Sequence, residues 1–230
     1  MADEIRNIFD RIAPVYDQLN DCLSLGQHRI WKEMTVKWSQ AKPGDTCVDL
    51  CCGSGDLAFR LARRVKPSGK VYGVDFSPAQ LEIAKKRSQT HYPYCAIAFL
   101  QADVLNLPFE DNQFDAATMG YGLRNVKDIP QCLKELHRVL KKGAKAAILD
   151  FHRPADSMLR TFQQWYLDCL VVPIASRMGF KEEYAYISPS LDRFPTGKQQ
   201  VEIALQVGFA TATHYPIANG MMGVLVVSKF

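Results

Sequence analysis

From Thr46 onward, short apolar runs alternate with longer amphipathic ones, and no other feature of the chain constrains its fold as strongly. "TCVDLC" (46–51), "KVYGVDF" (70–76), "IAFLQAD" (97–103), "FDAATMG" (114–120) and "AKAAILDF" (144–151) read as strands with helices between them. That alternation predicts an α/β core around a mainly parallel sheet. "SPAQLEIAKKRSQ" opens with Ser77 as N-cap, Pro78 at the first helical position and Gln80 at the third, a capping-box pattern. "IPQCLKELHRVLKKG" places Leu133, Leu136, Val139 and Leu140 on one stripe, with Gly143 as the expected stop.

Two regions lie outside the repeat. Residues 1–45 read as helices that cap one edge of the core. Residues 152–200 form an insertion that opens with "SMLRTFQQWYLDCLVV", where Met158, Phe162, Trp165, Tyr166, Cys169 and Leu170 recur at helical spacing. A helix, "GKQQVEIALQVG", then leads to two closing strands around Phe209–Tyr215 and Met222–Ser228, with "NGMMG" suited to a hairpin-like return. At 230 residues, 47% apolar and 23% charged, the chain reads as one soluble globular domain. Its net charge of +4 comes from scattered Lys and Arg, which argues against a nucleic-acid partner and leaves contact with an anionic membrane surface open. Charges begin at the third residue and no apolar run approaches ~18 residues, so neither a secretory segment nor a membrane span is expected. Seven cysteines without C-x-x-C spacing point to reduced thiols, a cytoplasmic setting and no metal.

Gly53 and Gly55 follow a predicted strand and open a helix, the setting in which glycines let a ligand approach the backbone. With Ala58 the loop also fits the dinucleotide pattern G-x-G-x-x-A, so two cofactors compete. Asp49 stands four residues before Gly53, where it would repel a diphosphate and attract an ammonium group. Asp75 ends the next strand, placed for ribose hydroxyls, and Asp103 ends the third, placed for an adenine amino group. Three acids at successive strand ends favour S-adenosylmethionine, a cationic nucleoside without phosphate, over NAD. Taken singly, each acid could instead cap the helix that follows. The adjacent Cys51 and Cys52 lack zinc-site spacing and read as small packing residues.

"VDLCCGSGDLA", "YGVDFSPAQL", "LQADVLNLPFEDNQFD" and "LKELHRVLKKGAKAAILDF" resemble the successive motifs of class I adenosylmethionine-dependent methyltransferases. "FDRIAPVYDQLND", "SLGQHRIWK" and "YGLRNV" narrow the resemblance to the ubiquinone/menaquinone C-methyltransferase family. "EEYAYISPSLDRFPTGKQQ" and "YPIANGMMGVLVVSK" are similar to its cyanobacterial and chloroplast branch, which acts on demethylphylloquinone or demethylmenaquinone. Two departures stand out. The chain ends in "GVLVVSKF" where many bacterial members have "GYKF", and its loop reads Cys-Cys-Gly-Ser-Gly where Gly-Gly-Thr-Gly is common, Ser54 keeping the hydroxyl.

The resemblance implies a Rossmann-like, seven-stranded sheet with one antiparallel strand, helices on both faces, an N-terminal helical cap and a helical insertion after the fifth strand. It implies cofactor contacts from Tyr16, Asp49, Gly53, Ser54, Gly55, Asp75, Phe76, Asp103, Val104 and Gly120, with Tyr16 and Asp17 packing over the cofactor. The expected reaction is transfer of a methyl group to a ring carbon of a lipophilic, reduced prenylated naphthoquinol. Arg124 and Asn125 are the expected phenolate-stabilising pair, with His152 as a second base candidate. The alternative is that Arg124 and Asn125 pair locally. Tyr121, Phe162 and Trp165 are the expected acceptor contacts, the last two as a wall for the prenyl tail. A homodimer and peripheral membrane contact stay open. The rival functions are a benzoquinol or phenol methyltransferase, an NAD-dependent reductase, and a non-catalytic partner that binds the nucleoside.

Overall fold

A computed structural model of the chain describes residues 26–92, 96–154, 156–177, 179–180 and 185–230. The roles expected of Tyr16 and Asp17 fall outside them. Seven strands form one sheet: β1 (Thr46–Leu50), β2 (Lys70–Asp75), β3 (Ile97–Gln101), β4 (Phe114–Gly120), β5 (Leu140–Phe151), β6 (Thr211–Ile217) and β7 (Met222–Ser228). Their order is β3-β2-β1-β4-β5-β7-β6, and β7 runs antiparallel to both its neighbours. The remaining pairs, β1–β2, β1–β4, β2–β3 and β4–β5, are parallel, as the alternation predicts.

Because successive strand residues point to opposite faces, each strand feeds two cores. Val48 and Leu50 join the cluster made with α4 (Ile129–Val139) and α8 (Gly197–Gln206). Cys47 joins the cluster on the other face, with α1 (Gln27–Trp38) and α2 (Asp56–Val65). Asp49 therefore shares the face that α1 and α2 cover. Ser77 caps α3 (Pro78–His91) through the Gln80 N–H at 3.1 Å, while a fully reciprocal capping box appears at Thr196 and Gln199 of α8.

One helix ends earlier than its stripe implies. α4 stops at Val139, and Leu140 already belongs to β5, paired with Phe114. Leu140 is buried in either conformation, so the apolar pattern could not separate the two. Gly143, at φ 79°, sits in the bulge through which β5 regains register at Lys145.

The insertion turns the opposite side inward from the one its apolar stripe predicts. α5 (Ser157–Tyr166) passes through a π-helical turn (Leu167–Val171) into α6 (Val172–Arg177). Its buried line is Gln163, Leu167, Val171 and Ala175, packed with Ile187 and Leu191 of the α7 helix (Ile187–Arg193). Met158, Phe162, Trp165 and Leu170 face outward, at 80, 48, 52 and 40% exposure. Both sides of the segment carry apolar residues, so a polar group decides. The Gln163 Nε2 donates to the His152 carbonyl at 2.8 Å, satisfying an acceptor just past β5.

β6 and β7 return on each other through Ala218, Asn219 and Gly220, all at positive φ. The His214 ring fills a slot that only glycines leave open, since a Cβ on Gly197 or Gly223 would strike it. It also lies 4.6 Å from the His152 ring. Burial and the neighbouring His152 push the His214 pKa down to about 4, and burial lowers that of His152. The unfolded chain therefore takes up these protons first, so stability is complete above pH ~6.5 and falls as pH drops toward ~4. Denaturant midpoints at several pH values should show that slope, and His214→Gln should flatten it. An unchanged slope in the variant would exclude the pair as the acid-sensitive point.

Candidate active site

The carboxyl ends of β3, β2, β1 and β4 open onto one cavity of about 760 Å³, the size of a typical small-molecule site. In an open α/β sheet this is the edge where ligands bind. Sheet order sets out the predicted residues in a row along it: Asp103 past β3, Asp75 at the end of β2, Asp49 in β1, then Gly120 and Tyr121 at the end of β4. Ser54, Gly53, Phe76, Val104, Arg124 and Asn125 line the same space.

Asp75 shapes the glycine loop. One carboxylate oxygen accepts the Gly53 N–H at 2.8 Å and the other accepts the Ser77 N–H at 2.9 Å, tying loop and α3 to the end of β2. Gly53 and Gly55 adopt φ 52° and 95°, and a Cβ on Gly55 would come within 2.9 Å of the Phe59 ring. Gly55 is thus required twice, for its backbone and for the approach of α2. Ser54 is buried, and its hydroxyl and carbonyl accept hydrogen bonds from Arg87 at 2.9 and 3.1 Å. Asp103 is exposed and its Oδ1 accepts the Leu105 N–H, a bond within the turn after β3, where no helix follows for it to cap.

Asp49 is 1% exposed. Its Oδ1 accepts the hydroxyl of Thr118, its register partner on β4, at 2.7 Å, and its Oδ2 has no hydrogen-bond partner among the described residues. Burial raises its pKa to about 7, against the lowering effects of the Thr118 hydroxyl, the Ala58 backbone N–H and Lys32. A buried carboxyl with one idle oxygen is suited to a cationic group.

The β4 end is a tight crossing. A Cβ on Gly120 would sit 2.6 Å from Leu57 Cδ1, and one on Gly122 would meet the Cβ and Sγ of Cys51. Cys51 itself holds φ 52°, a left-handed conformation costly for a residue with a side chain. Burial raises both thiols, Cys51 and Cys52, well above the ordinary range, so they remain neutral packing groups. Tyr121, at φ 60°, accepts through its carbonyl from Arg124 Nη1 and Asn125 Nδ2, both at 3.2 Å.

Arg124 and Asn125 both reach back to the Tyr121 carbonyl, and Arg124 also pairs across the fold. The Arg124 Nη1 binds Asp150 Oδ1 at 2.6 Å while its backbone N–H reaches Asp150 Oδ2 at 3.0 Å, and both side chains are buried. Two polar atoms stay without partners among the described residues: Arg124 Nε and Asn125 Oδ1. His152, Phe162 and Trp165 do not line the cavity. His152 packs on His214, and the two aromatics meet at a tilt on the outer side of the insertion, their ring centres 5.8 Å apart. The apolar side chains that do line the cavity include Val126, Ile129, Tyr186, Phe194 and Ile203. Sequence reasoning also missed Lys32, Asp56, Arg87 and Asp150. The signal for Lys32 was its place on the inner side of α1, in line with His28, Thr35 and Val36.

The Cys51–Gly122 contact predicts a coupled pair. Gly122→Ala should destabilise by about 1–3 kcal/mol through overpacking. Cys51→Gly removes the opposing Cβ and the left-handed strain, so in the double variant much of that loss should disappear. Urea unfolding of the four proteins measures the coupling, and strict additivity would contradict the contact.

The sequence pattern of the ubiE/COQ5 methyltransferase family matches residues 1–229. A protein of Trichormus variabilis named 2-phytyl-1,4-naphtoquinone methyltransferase is 76% identical over 229 residues, covering 100% of both chains. An Arabidopsis thaliana protein named 2-phytyl-1,4-beta-naphthoquinone methyltransferase, chloroplastic, is 49% identical over 230 residues, covering 99% of this chain and 88% of its own. In fold, the chain is similar to a solved SAM dependent methyltransferase from Aquifex aeolicus, with a TM-score of 0.67 at 16% identity over 92% of this chain and 96% of the other. With the whole chain matched in sequence and the strand order carrying the site, the protein belongs to the ubiE/COQ5 methyltransferase family.

Proposed function

We propose that this protein methylates a ring carbon of a reduced 2-prenylated 1,4-naphthoquinone, with S-adenosylmethionine as donor. The observation that carries the reading is the row of strand ends, Asp103, Asp75, Asp49 and then Gly120 with Tyr121, along a single cavity. Asp103 would receive the adenine amino group, Asp75 the ribose hydroxyls and Asp49 the ammonium group, with Gly53 and Gly55 admitting the ligand to the backbone. The idle Asp49 Oδ2 and the bare glycine loop fit such a molecule. A row of carboxylates does not fit the diphosphate of a dinucleotide. The names of relatives at 76 and 49% identity support the naphthoquinone ring over a benzoquinol.

When bound, the donor supplies a methyl group already activated by its sulfonium, so the chain's work is alignment and charge stabilisation. Arg124 is held at one edge by Asp150, which leaves its Nε–H to donate to the phenolate oxygen. Asn125 is fixed through its Nδ2 on the Tyr121 carbonyl, leaving Oδ1 to accept from a quinol hydroxyl. Arg124 would favour ionisation of one quinol hydroxyl while Asn125 orients the other. The adjacent ring carbon gains electron density, and the hydroxyl proton and the ring proton replaced by the methyl group both leave to solvent. The apolar wall of Val126, Ile129, Phe194 and Ile203 excludes water from that side.

A methyl-transfer assay with demethylphylloquinone and labelled donor, with and without reductant, tests the reaction. Methylated product should form only under reducing conditions. Its absence in both conditions rejects the acceptor, and equal product without reductant rejects the quinol. The Asp49 carboxyl adds a pH signature. Its folded pKa lies above its unfolded value, at about 7, so in the free protein it holds a proton that an incoming ammonium group displaces. S-adenosylhomocysteine should therefore bind more tightly as pH rises to ~7 and level off above it, with Asp49→Asn losing that dependence. A pH-independent affinity in the parent protein would remove Asp49 from the site.

A further inference from the structure

The Lys32 ammonium and the Asp49 carboxyl line the same cavity and are not bonded to each other. The Lys32 ammonium reaches across from α1 to Asp56 Oδ2 at 2.7 Å, and Asp49 turns to Thr118. The Lys32 side chain is 4% exposed, an expensive place for an ammonium with three donors and one carboxylate partner among the described residues. Asp56 is itself shared, since Arg87 Nη2 lies 3.3 Å from its other oxygen. Lys32 also lies 5.8 Å from the centre of the Tyr121 ring, which places it where β1 and β4 meet. The other cations lining the cavity are differently placed: Arg124 is held by Asp150, and Lys127 and Arg193 are exposed. At the start of α2, beside Asp56, the N-cap Gly55 offers no side-chain cap, and the Ala58 N–H of the first turn is directed at the Asp49 carboxyl.

We propose that Lys32 and Asp49 form a clamp for an α-amino-acid zwitterion, Lys32 receiving the carboxylate and Asp49 the ammonium of the donor's methionine end. The proposal rests on the cofactor reading above and deepens it. A zwitterion bridges two unlike charges that the fold keeps apart. Lys32 then fixes the end of the donor that lies beside Tyr121, which holds the sulfur toward the acceptor side. In this role Lys32 is a binding residue, and its bond to Asp56 sets the direction of its ammonium.

Calorimetry with two ligands separates this from a structural role. S-adenosylhomocysteine carries both charged groups, and 5′-methylthioadenosine carries neither. Lys32→Met should weaken the first by about 10–100-fold, the scale of a lost hydrogen bond between charged groups, and leave the second within about twofold. Lys32→Arg should recover most of the loss. Equal loss for both ligands, or no loss for either, overturns the clamp. A comparison on the unaltered protein is independent of any folding defect: the carboxamide of S-adenosylhomocysteine should bind about 10-fold or more weaker than the acid. Equal affinity of acid and amide overturns the assignment of Lys32 while leaving the cofactor reading intact. Failure of the unaltered protein to bind any of these nucleosides overturns the cofactor reading and the clamp with it.

Discussion

A carboxylate buried in the central strand governs this site. Asp49 lies one residue before the end of β1, on the face covered by α1 and α2, where water cannot solvate it. Thr118 meets one oxygen because β1 and β4 are in register at those two positions. The other oxygen is left idle at the cavity, and burial holds the group near neutrality at pH ~7. Such a group is a standing cost in the free protein that a bound cation relieves. The placement of Lys32, the shared Asp56 and the opening of α2 are all arranged around this point.

The acceptor side follows a different economy. Arg124 and Asp150 form a buried ion pair, and removing one member of such a pair typically costs about 3–5 kcal/mol. The same pairing occupies Nη1, and Nε is a buried donor without a partner among the described residues. Substitutions at Arg124 therefore mix loss of fold with loss of chemistry, and activity alone does not separate them. Asn125 is the cleaner position, because its bond to the Tyr121 carbonyl is a single neutral contact.

The sheet was legible because short apolar runs alternate with amphipathic helical ones from Thr46 to Phe151, and its central strands are buried on both faces. The three acids and the glycine loop were legible because strand ends in a parallel sheet converge on one edge. What failed did so where apolar pattern is ambiguous. Leu140 is buried as helix or strand, and α5 carries apolar residues on both sides, so Gln163 settled its orientation by reaching a carbonyl distant in sequence. Phe162 and Trp165 were consequently assigned to a wall they do not form. Lys32 and Asp150 were invisible for another reason. Their partners, Asp56 and Arg124, lie 24 and 26 residues away, and a charge reads as solvated until its partner is known.

The insertion keeps a small core of its own, Leu167, Val171, Ala175, Ile187 and Leu191, with Phe151 and Gln163 among its links to the sheet. The nucleoside-side acids and the glycine loop draw nothing from that core. Tyr186 and Phe194, at the two ends of α7, line the cavity, and Phe194 packs on the main core of the sheet. Through Phe194 and Ile187 the α7 helix therefore touches both cores, so a change in its packing is felt at the cavity and in the sheet together.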